Sequence, residues 1–259
     1  MTPYTPPRFS PRALRLTARN FLVWRKLMAS SIVVHLVEPL IFLAGFGLGV
    51  GALVGDVGDI PYLEFVAAGM IGFSVANSAS FEALYSAFTR MHVQRTWESV
   101  LHAPMTVDDI VFGEWLWAGF KSAFAGASML LILSILGLAT YPAALLILPA
   151  AIGGGLAFAG IALVCNALAR GYEFFSFYFS LFITPMLILS GVFFPVDTLP
   201  APLAAVSVVL PLRHLIDIIR PALGGEFPPS LIWHLIILTL YGGGGLWAAT
   251  IITRRRFLS

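Results

Sequence analysis

Ionisable side chains lie within long apolar segments of this sequence, where a charge is costly and usually serves a function. Glu38 shares a helical face with His35, so the pair lines a polar cavity, contacts a partner subunit or lies at the depth of the lipid headgroups. Lys121 either extends back to the membrane surface or faces a central pathway, and Glu82 is a possible partner for it. Such groups are therefore candidates for a functional role.

Motifs for hydrolysis and for nucleotide binding are absent from the sequence. It has no G-x-x-x-x-G-K-[ST] phosphate loop, no H-E-x-x-H and no G-x-S-x-G. The five histidines lack metal-ligand spacing, and the single cysteine, Cys165, is typical of a small buried apolar residue. An intramembrane hydrolase is therefore disfavoured, and any energy source must come from elsewhere.

The elements that must position these groups are membrane helices. Of 259 residues, 59% are hydrophobic and only 11% are charged, whereas soluble domains carry about 25% charged residues. Apolar runs long enough to cross about 30 Å of hydrocarbon recur along the chain. We predict one all-α integral membrane domain, residues 1–259, with six transmembrane helices. The predicted spans are Ile32–Leu53, Leu63–Phe88, Ile110–Leu138, Pro142–Ala169, Phe174–Phe194 and Leu231–Ile252.

The placement of basic residues predicts the orientation of these spans. Twelve of the fifteen Lys and Arg lie on the side of the two termini and two lie on the other, so the positive-inside rule makes both termini cytoplasmic. The net charge of +2 is small, and nucleic acid is not expected as a partner. No cleavable signal peptide is expected, because the first residues are rich in Pro and Arg and no short apolar core with a small-residue cleavage site follows. The first span itself is then expected to direct insertion.

Residues 1–28 are predicted to form a cytoplasmic tail and an interfacial helix. A proline-rich tail ends near Pro11, and Arg12–Met28 then places arginines on one helical face and apolar side chains on another. This pattern is typical of a helix lying in the membrane surface, although the same arginines could simply orient the first span.

Glycines four residues apart predict close helix contacts rather than phosphate binding. Gly45/Gly49 and Gly47/Gly51 form such pairs in the first span, and Gly153–Gly155 and Gly242–Gly245 lie in the fourth and sixth spans. Small residues at this spacing let two helix backbones approach closely.

Residues 89–109 form a short loop predicted to be cytoplasmic. Trp97, Val100 and Leu101 can share one helical face, with Arg95 and Glu98 beside it. The segment either presents an aromatic knob to a cytoplasmic partner or lies in the headgroup region with its Trp as an anchor.

Residues 195–230 are predicted to form two short helices that dip into the outer leaflet, the alternative being an ordinary outer loop. Phe194 and Pro195 end the fifth span, and Pro211 begins the second short helix. Arg213 and Asp217 stand at i and i+4, which permits an ion pair, and Arg220 shares their face.

Aromatic side chains cover the fifth span densely. Phe175, Tyr178 and Phe182, with their aromatic neighbours, would either line a pathway or fill space against lipid.

Several runs of sequence resemble one protein family. ILSGVFFPVDTLP and LPLRHLIDIIRPAL resemble the C-terminal signature of ABC-2 type transport permeases, and TWESVLHAPMTVDDIVFGE resembles the cytoplasmic loop of that family. GEWLWAGFKSAFAG and the segment FFSFYFSLFITPMLILSGVFF resemble the subgroup that exports nodulation factors, which are lipo-chitooligosaccharides. The similarity covers essentially the whole chain after the proline-rich tail.

This resemblance implies a homodimer of six-helix subunits that works with two separate ATPase subunits. ATP and magnesium would bind to those partners, with no cofactor and no catalytic residue in this chain. Arg95–Ala103 would form a coupling helix, and Phe194, Pro195, Pro211, Arg213, Asp217 and Arg220 would belong to an outer gate. The cargo would be an amphiphile, and the location the bacterial inner membrane.

Two other functions remain open at this stage. A drug or antibiotic exporter would have the same fold. An ion-coupled secondary transporter would use Glu38 and Lys121 as coupling groups, and inverted repeats would support it, although none is obvious in the sequence.

Overall fold

The computed structural model describes residues 5–8 and 10–258. The side chains of residues 29, 31, 32, 34–36 and 258 lie outside this description. The predicted pairing of His35 with Glu38 and the first four residues of the predicted tail therefore lie outside it as well.

The described part of the chain is almost entirely helical, with one short hairpin. The α-helices are α1 (Ala13–Trp24), α2 (Met28–Phe42), α3 (Gly51–Val54), α4 (Tyr62–Phe81), α5 (Thr96–Leu101), α6 (Val107–Ile135), α7 (Ile147–Leu168), α8 (Glu173–Tyr178), α9 (Thr184–Leu189), α10 (Ala201–Ser207), α11 (Pro211–Leu223) and α12 (Leu231–Leu258). Strands β1 (Asp56–Val57) and β2 (Ile60–Pro61) pair antiparallel. Segments of π-helix, Leu43–Val50, Glu82–Ser86, Thr89–Val93 and Phe179–Ile183, continue or join these helices, and 3-10 turns occur at Arg25–Leu27, Ala143–Leu146 and Val196–Thr198.

Four helical segments are long and apolar enough to cross a membrane, and the number rises to five if α10 and α11 together form one broken span. The four are Val37–Val54, Val107–Ile135, Ala143–Leu168 and Leu231–Phe257. The all-α membrane class is thus confirmed, whereas the count of six is not. The run Glu173–Leu189 is too short for this set, and α4 contains polar side chains such as Glu64 and Asn77 that lower its apolar character.

Helix α7 forms the centre of the bundle and packs against α4, α6, α11 and α12. It approaches α12 closely, since a methyl group added at Gly245 would lie 2.5 Å from the carbonyl carbon of Gly160. The predicted glycine contact is therefore confirmed for α12. In the first span, Gly47 packs on α4 near Leu63, whereas Gly49 has nothing near its Cα that a methyl group would meet.

The N-terminal segment is tied to the ends of two long helices. Arg254 of α12 forms a buried ion pair with Asp108 of α6 and donates a hydrogen bond to the Thr5 carbonyl oxygen. Thr17 of α1 donates to the Gly113 carbonyl oxygen over 3.0 Å, and Leu16 packs beside Gly113. The described part of the tail is therefore docked on the bundle rather than loose.

Candidate functional site

A network of four charged side chains is buried between α4, α6 and the segment that follows α4. We call Glu82, Arg90, Glu114 and Lys121 the buried charge network. Arg90 donates to Glu82 over 2.8 Å and to Glu114 over 2.6 Å, and Lys121 donates to Glu82 over 2.7 Å. Two negative and two positive charges cancel, which is how ionised groups are tolerated in a medium of low dielectric constant.

Neutral donors complete the network. Trp117 Nε1 donates to Glu82 over 2.8 Å, and Asn20 of α1 donates to Glu114 over 3.3 Å. The pairing of Lys121 with Glu82 agrees with the partner suggested by the sequence. Lys121 is 9% exposed and held by this carboxylate, so it does not extend to the membrane surface.

The position of Trp97 corrects the prediction of an outward aromatic knob. The side chain is 2% exposed, its Nε1 donates to Glu114 over 3.1 Å, and its ring stacks near Phe257. The indole N–H requires an acceptor when buried, and the network supplies one. Trp97 therefore attaches α5 to the interior of this subunit.

The outward face of α5 is polar. Arg95, at the N-cap of α5, has a positive φ of 50°, which turns the chain from Thr89–Val93 into the helix. Arg95 and Glu98 are exposed, while Val100 and Leu101 are half-buried. Partial desolvation and the charge of Arg256 lower the pKa of the neighbouring His92, and Glu98 opposes this shift.

A cavity of about 390 Å³ borders the buried charge network. It lies between α1 and the α4 region, and its lining includes Arg19, Trp24, Tyr85, Arg90 and Lys121. Lys121 thus contacts a cavity as well as its ion-pair partner.

Glu38 lies apart from the network, on an exposed face of α2. Asn77 of α4 donates to its carboxylate over 3.2 Å. The structure therefore does not bring Glu38 and Lys121 into one constellation, as a pair of coupling groups would require.

The aromatic residues of the fifth predicted span divide between two faces. Phe175 and Tyr178 are buried against the α4 region, where Phe175 packs edge-on to Tyr85 and the Tyr178 hydroxyl shares a hydrogen bond of 2.9 Å with Ser80. Phe182 is half-buried and packs against Tyr178. Phe177 is exposed, so it is available to lipid or to a second subunit.

The segment after α9 contains the break that the sequence predicted. Helices α10 and α11 meet at 82°, and Pro211 lies in the first turn of α11. Arg213 Nε lies 3.5 Å from Asp217, which confirms the predicted ion pair. Phe194 and Pro195 are half-buried beside the 3-10 turn Val196–Thr198.

Arg220 connects three parts of the structure. Its guanidinium lies 3.8 Å from the centre of the Phe65 ring of α4, and it donates over 2.5 Å to the Gly191 carbonyl oxygen. Cation–π contacts of this kind gain strength when they are shielded from water. The side chain therefore holds α11 against α4 and the turn after α9.

Sequence reasoning did not assign roles to Arg90, Glu114 and Trp117, which complete the network, or to Asp108 and Arg254. One signal was available, because each is a polar or charged residue next to an apolar run. Their pairing depends on how the helices pack, which the sequence pattern does not specify.

Comparison with known proteins shows that this sequence is similar to those of transporters. Residues 12–223 match the family described as ABC-2 type transporter. The chain is 42% identical over 241 residues to nodulation protein J of Sinorhizobium fredii (strain NBRC 101917 / NGR234), covering 93% of this chain and 92% of the relative. It is 42% identical over 245 residues to nodulation protein J of Rhizobium leguminosarum bv. viciae, covering 95% of each chain. Nodulation protein J of Azorhizobium caulinodans is 33% identical over 222 residues, or 84% of this chain and 87% of the relative.

Proposed function

Because the chain belongs to the ABC-2 type transporter family, we propose that it exports an amphiphilic lipo-oligosaccharide as the membrane permease of an ABC transporter. Permeases of this family are the transmembrane components, and the ATPase is a separate subunit. The cargo assignment rests on the similarity to nodulation protein J, which spans 93% of this chain at 42% identity. We propose a related signal molecule, a lipo-chitooligosaccharide, as the cargo.

The proposed permease is a homodimer of six-span subunits in the bacterial inner membrane, with both termini cytoplasmic. The proposal counts α4, and the run Glu173–Leu189, as spans in addition to the four long apolar segments. Exposed apolar side chains on α2 and on the fifth predicted span, such as Ile41 and Phe177, support a lipid or subunit contact there. The exposed side chains Leu14 and Phe21 of α1 support its placement in the membrane surface.

Export is proposed to be driven through α5. Arg95 and Glu98 would contact the ATPase, with Val100 and Leu101 at the edge of the contact. Movement of α5 would reach the bundle through Trp97, which is bonded to Glu114, and from there through Arg90 to Glu82 and Lys121. These five residues form one unbroken chain of hydrogen bonds and ion pairs from α5 into the buried charge network, which supports this route.

The proposed outer gate is the segment from Phe194 to Arg220. Arg220 would hold α11 against α4 in the closed state, and the corner between α10 and α11 would open when that contact is lost. The Arg213–Asp217 pair would stiffen α11 during this movement.

Transport into sealed vesicles tests the proposed function. The permease and its ATPase are reconstituted into proteoliposomes, and a fluorescent lipo-chitooligosaccharide is followed as ATP is added. We expect ATP-dependent movement of the labelled molecule across the bilayer, absent when the ATPase is inactive. Movement that instead depends on a proton gradient and needs no ATPase would contradict the proposal.

Charge reversal on α5 is expected to weaken the contact with the ATPase. Glu98→Arg should reduce co-purification of the ATPase about tenfold, because an exposed interfacial charge then meets a like charge. Asp59→Arg is the matched control, since Asp59 is exposed in the β-hairpin at the opposite end of α4. Equal loss of the ATPase in both variants would argue against α5 as the contact.

Cysteine labelling tests the orientation. In a background of Cys165→Ser, Asp56→Cys is expected to react with an impermeant maleimide from the outer side and Arg95→Cys only after the membrane is opened. Both positions are exposed in the folded chain, so neither should be hidden by protein. Labelling of both positions from one side would overturn the proposed topology.

A further inference from the structure

A cavity with a volume of about 710 Å³ lies where the α11–α12 loop meets the start of α4. We call it the α11–α12 cavity. Its size is in the range of small-molecule sites, about 300–1,000 Å³. It opens at the end of the bundle opposite to α5, beside the corner at which α10 and α11 meet.

The charged groups of this cavity favour a ligand that donates hydrogen bonds. The lining contains three carboxylates and two arginines. These are Glu64, Asp217 and Glu226 with Arg213 and Arg220. Both arginines already have partners, although the buried Nε of Arg220 has no hydrogen-bond acceptor among the described residues. Arg213 contacts Asp217 and donates to the Ser207 hydroxyl oxygen over 2.5 Å, and Arg220 donates to the carbonyl oxygen of Gly191.

The carboxylates of Glu64 and Glu226, by contrast, have no ion pair or hydrogen bond within the described part of the chain. A carboxylate accepts hydrogen bonds and donates none when ionised. The cavity therefore offers free acceptors, with one more negative than positive charge, and disfavours a phosphate.

Two imidazoles form a fixed wall of the cavity. His214 Nε2 lies 2.8 Å from the Val208 carbonyl oxygen, which only accepts, so this nitrogen is the donor. In the neutral ring Nδ1 of His214 is then an acceptor for Nδ1–H of His234, 2.9 Å away. The two rings thus tie α12 to α11 and, through Val208, to the end of α10.

Trp233 supplies an apolar surface beside the carboxylates of the cavity. It lies in the first turn of α12, lines the cavity and is 54% exposed. The face of an indole ring is electron-rich and attracts the slightly positive C–H groups of a pyranose ring. An aromatic face next to carboxylate acceptors matches the two surfaces of a sugar, its C–H face and its hydroxyl or amide N–H rim.

We propose that the α11–α12 cavity binds the uncharged saccharide part of the exported molecule, with a pyranose ring on Trp233 and its hydroxyl or amide groups bonded to Glu64 and Glu226. This proposal rests on the proposed export of a lipo-oligosaccharide. The exposed apolar side chains of Ile236 and Leu240 follow Trp233 along α12. An acyl chain attached to the bound sugar can therefore remain in lipid while the sugar occupies the cavity.

The test measures binding of a sugar that has no acyl chain. The complex of permease and ATPase in lipid nanodiscs is titrated with the N-acetylglucosamine tetramer, and binding is followed by saturation-transfer difference NMR. We expect Trp233→Ala to weaken binding about tenfold, from the lost aromatic contact, and Trp233→Phe to retain most of it. Glu64→Gln should also weaken binding.

Trp247→Ala is the matched control, because Trp247 lies on the same helix with 55% exposure and does not line the cavity. Equal binding by Trp233→Ala and the wild type, or tighter binding of a sugar phosphate than of the uncharged tetramer, would overturn the proposal. Absence of tetramer binding by a complex that still transports the lipo-oligosaccharide would overturn it too, and would leave the proposed function intact. Saccharide binding lost in Trp233→Ala but kept in Trp247→Ala would support it.

Discussion

A Glu82→Leu variant is expected to lose the folded, transport-competent permease. The Glu82 carboxylate accepts hydrogen bonds from Arg90, Lys121 and Trp117. Its removal leaves Lys121 without a counter-charge at a site that is 9% exposed. Breaking a buried ion pair from one side costs about 3–5 kcal/mol, because the remaining charge stays desolvated. That is a large part of the 5–15 kcal/mol by which folded proteins are typically stable.

A double variant distinguishes the stability cost of the unpaired charge on Lys121 from the cost of the contacts that Glu82 loses. Adding Lys121→Leu to Glu82→Leu removes the uncompensated cation, while Arg90 keeps its bidentate contact with Glu114. The double variant should therefore unfold at a higher temperature than Glu82→Leu alone, which is the non-additivity expected of residues in one network.

Thermal unfolding in detergent, followed by size-exclusion chromatography, is the measurement. Glu173→Leu serves as the control, since Glu173 is an exposed acid at the start of α8 and its loss should cost at most about 1 kcal/mol. Equal unfolding temperatures for Glu82→Leu, Glu173→Leu and the wild type would show that the buried charge network does not support the fold.

The helical elements could be predicted because long apolar runs permit little else in a membrane. The predicted third span, Ile110–Leu138, is α6 displaced by about three residues, since the capping box of Thr106 and Asp109 starts the helix at Val107. The last helix runs past Ile252 to Leu258. Its extension is stabilised because Arg254 forms a buried ion pair with Asp108. The predicted fifth span was too long, since the chain turns after Leu189 through Gly191 with a φ of 76°.

Little of the candidate site could be predicted where the partners lie on different helices, since Glu82 was only suggested as a possible partner of Lys121. The Arg213–Asp217 pair follows from an i, i+4 spacing and was found in this way. The network around Glu82 combines side chains from α1, α4, α5 and α6, and no spacing along the chain encodes it. Trp97 shows the consequence. A helical-face argument makes it an exposed knob, but whether that face meets a partner subunit or α6 depends on the tertiary position of Glu114.

The contact between α7 and α12 gives the second prediction with a large effect. Gly245→Ala is expected to separate these two helices, because the added methyl group would lie 2.5 Å from the carbonyl carbon of Gly160 and 2.8 Å from its oxygen. Both atoms belong to the backbone of α7 and cannot rotate away, so one helix must move. Overpacking of this kind costs about 1–3 kcal/mol or more, and the contact lies in the centre of the bundle. We expect little folded protein after extraction from the membrane.

Gly244→Ala is a control at the neighbouring position, where the expected change in stability has the opposite sign. A methyl group there meets nothing within 4 Å, and replacing glycine by alanine inside a helix typically stabilises it by about 0.5–1 kcal/mol. The two variants carry the same chemical change on the same turn of α12, so their difference in unfolding temperature isolates the approach of the two backbones. A Gly245→Ala permease that unfolds at the same temperature as Gly244→Ala would mean that α7 and α12 do not approach as closely as described.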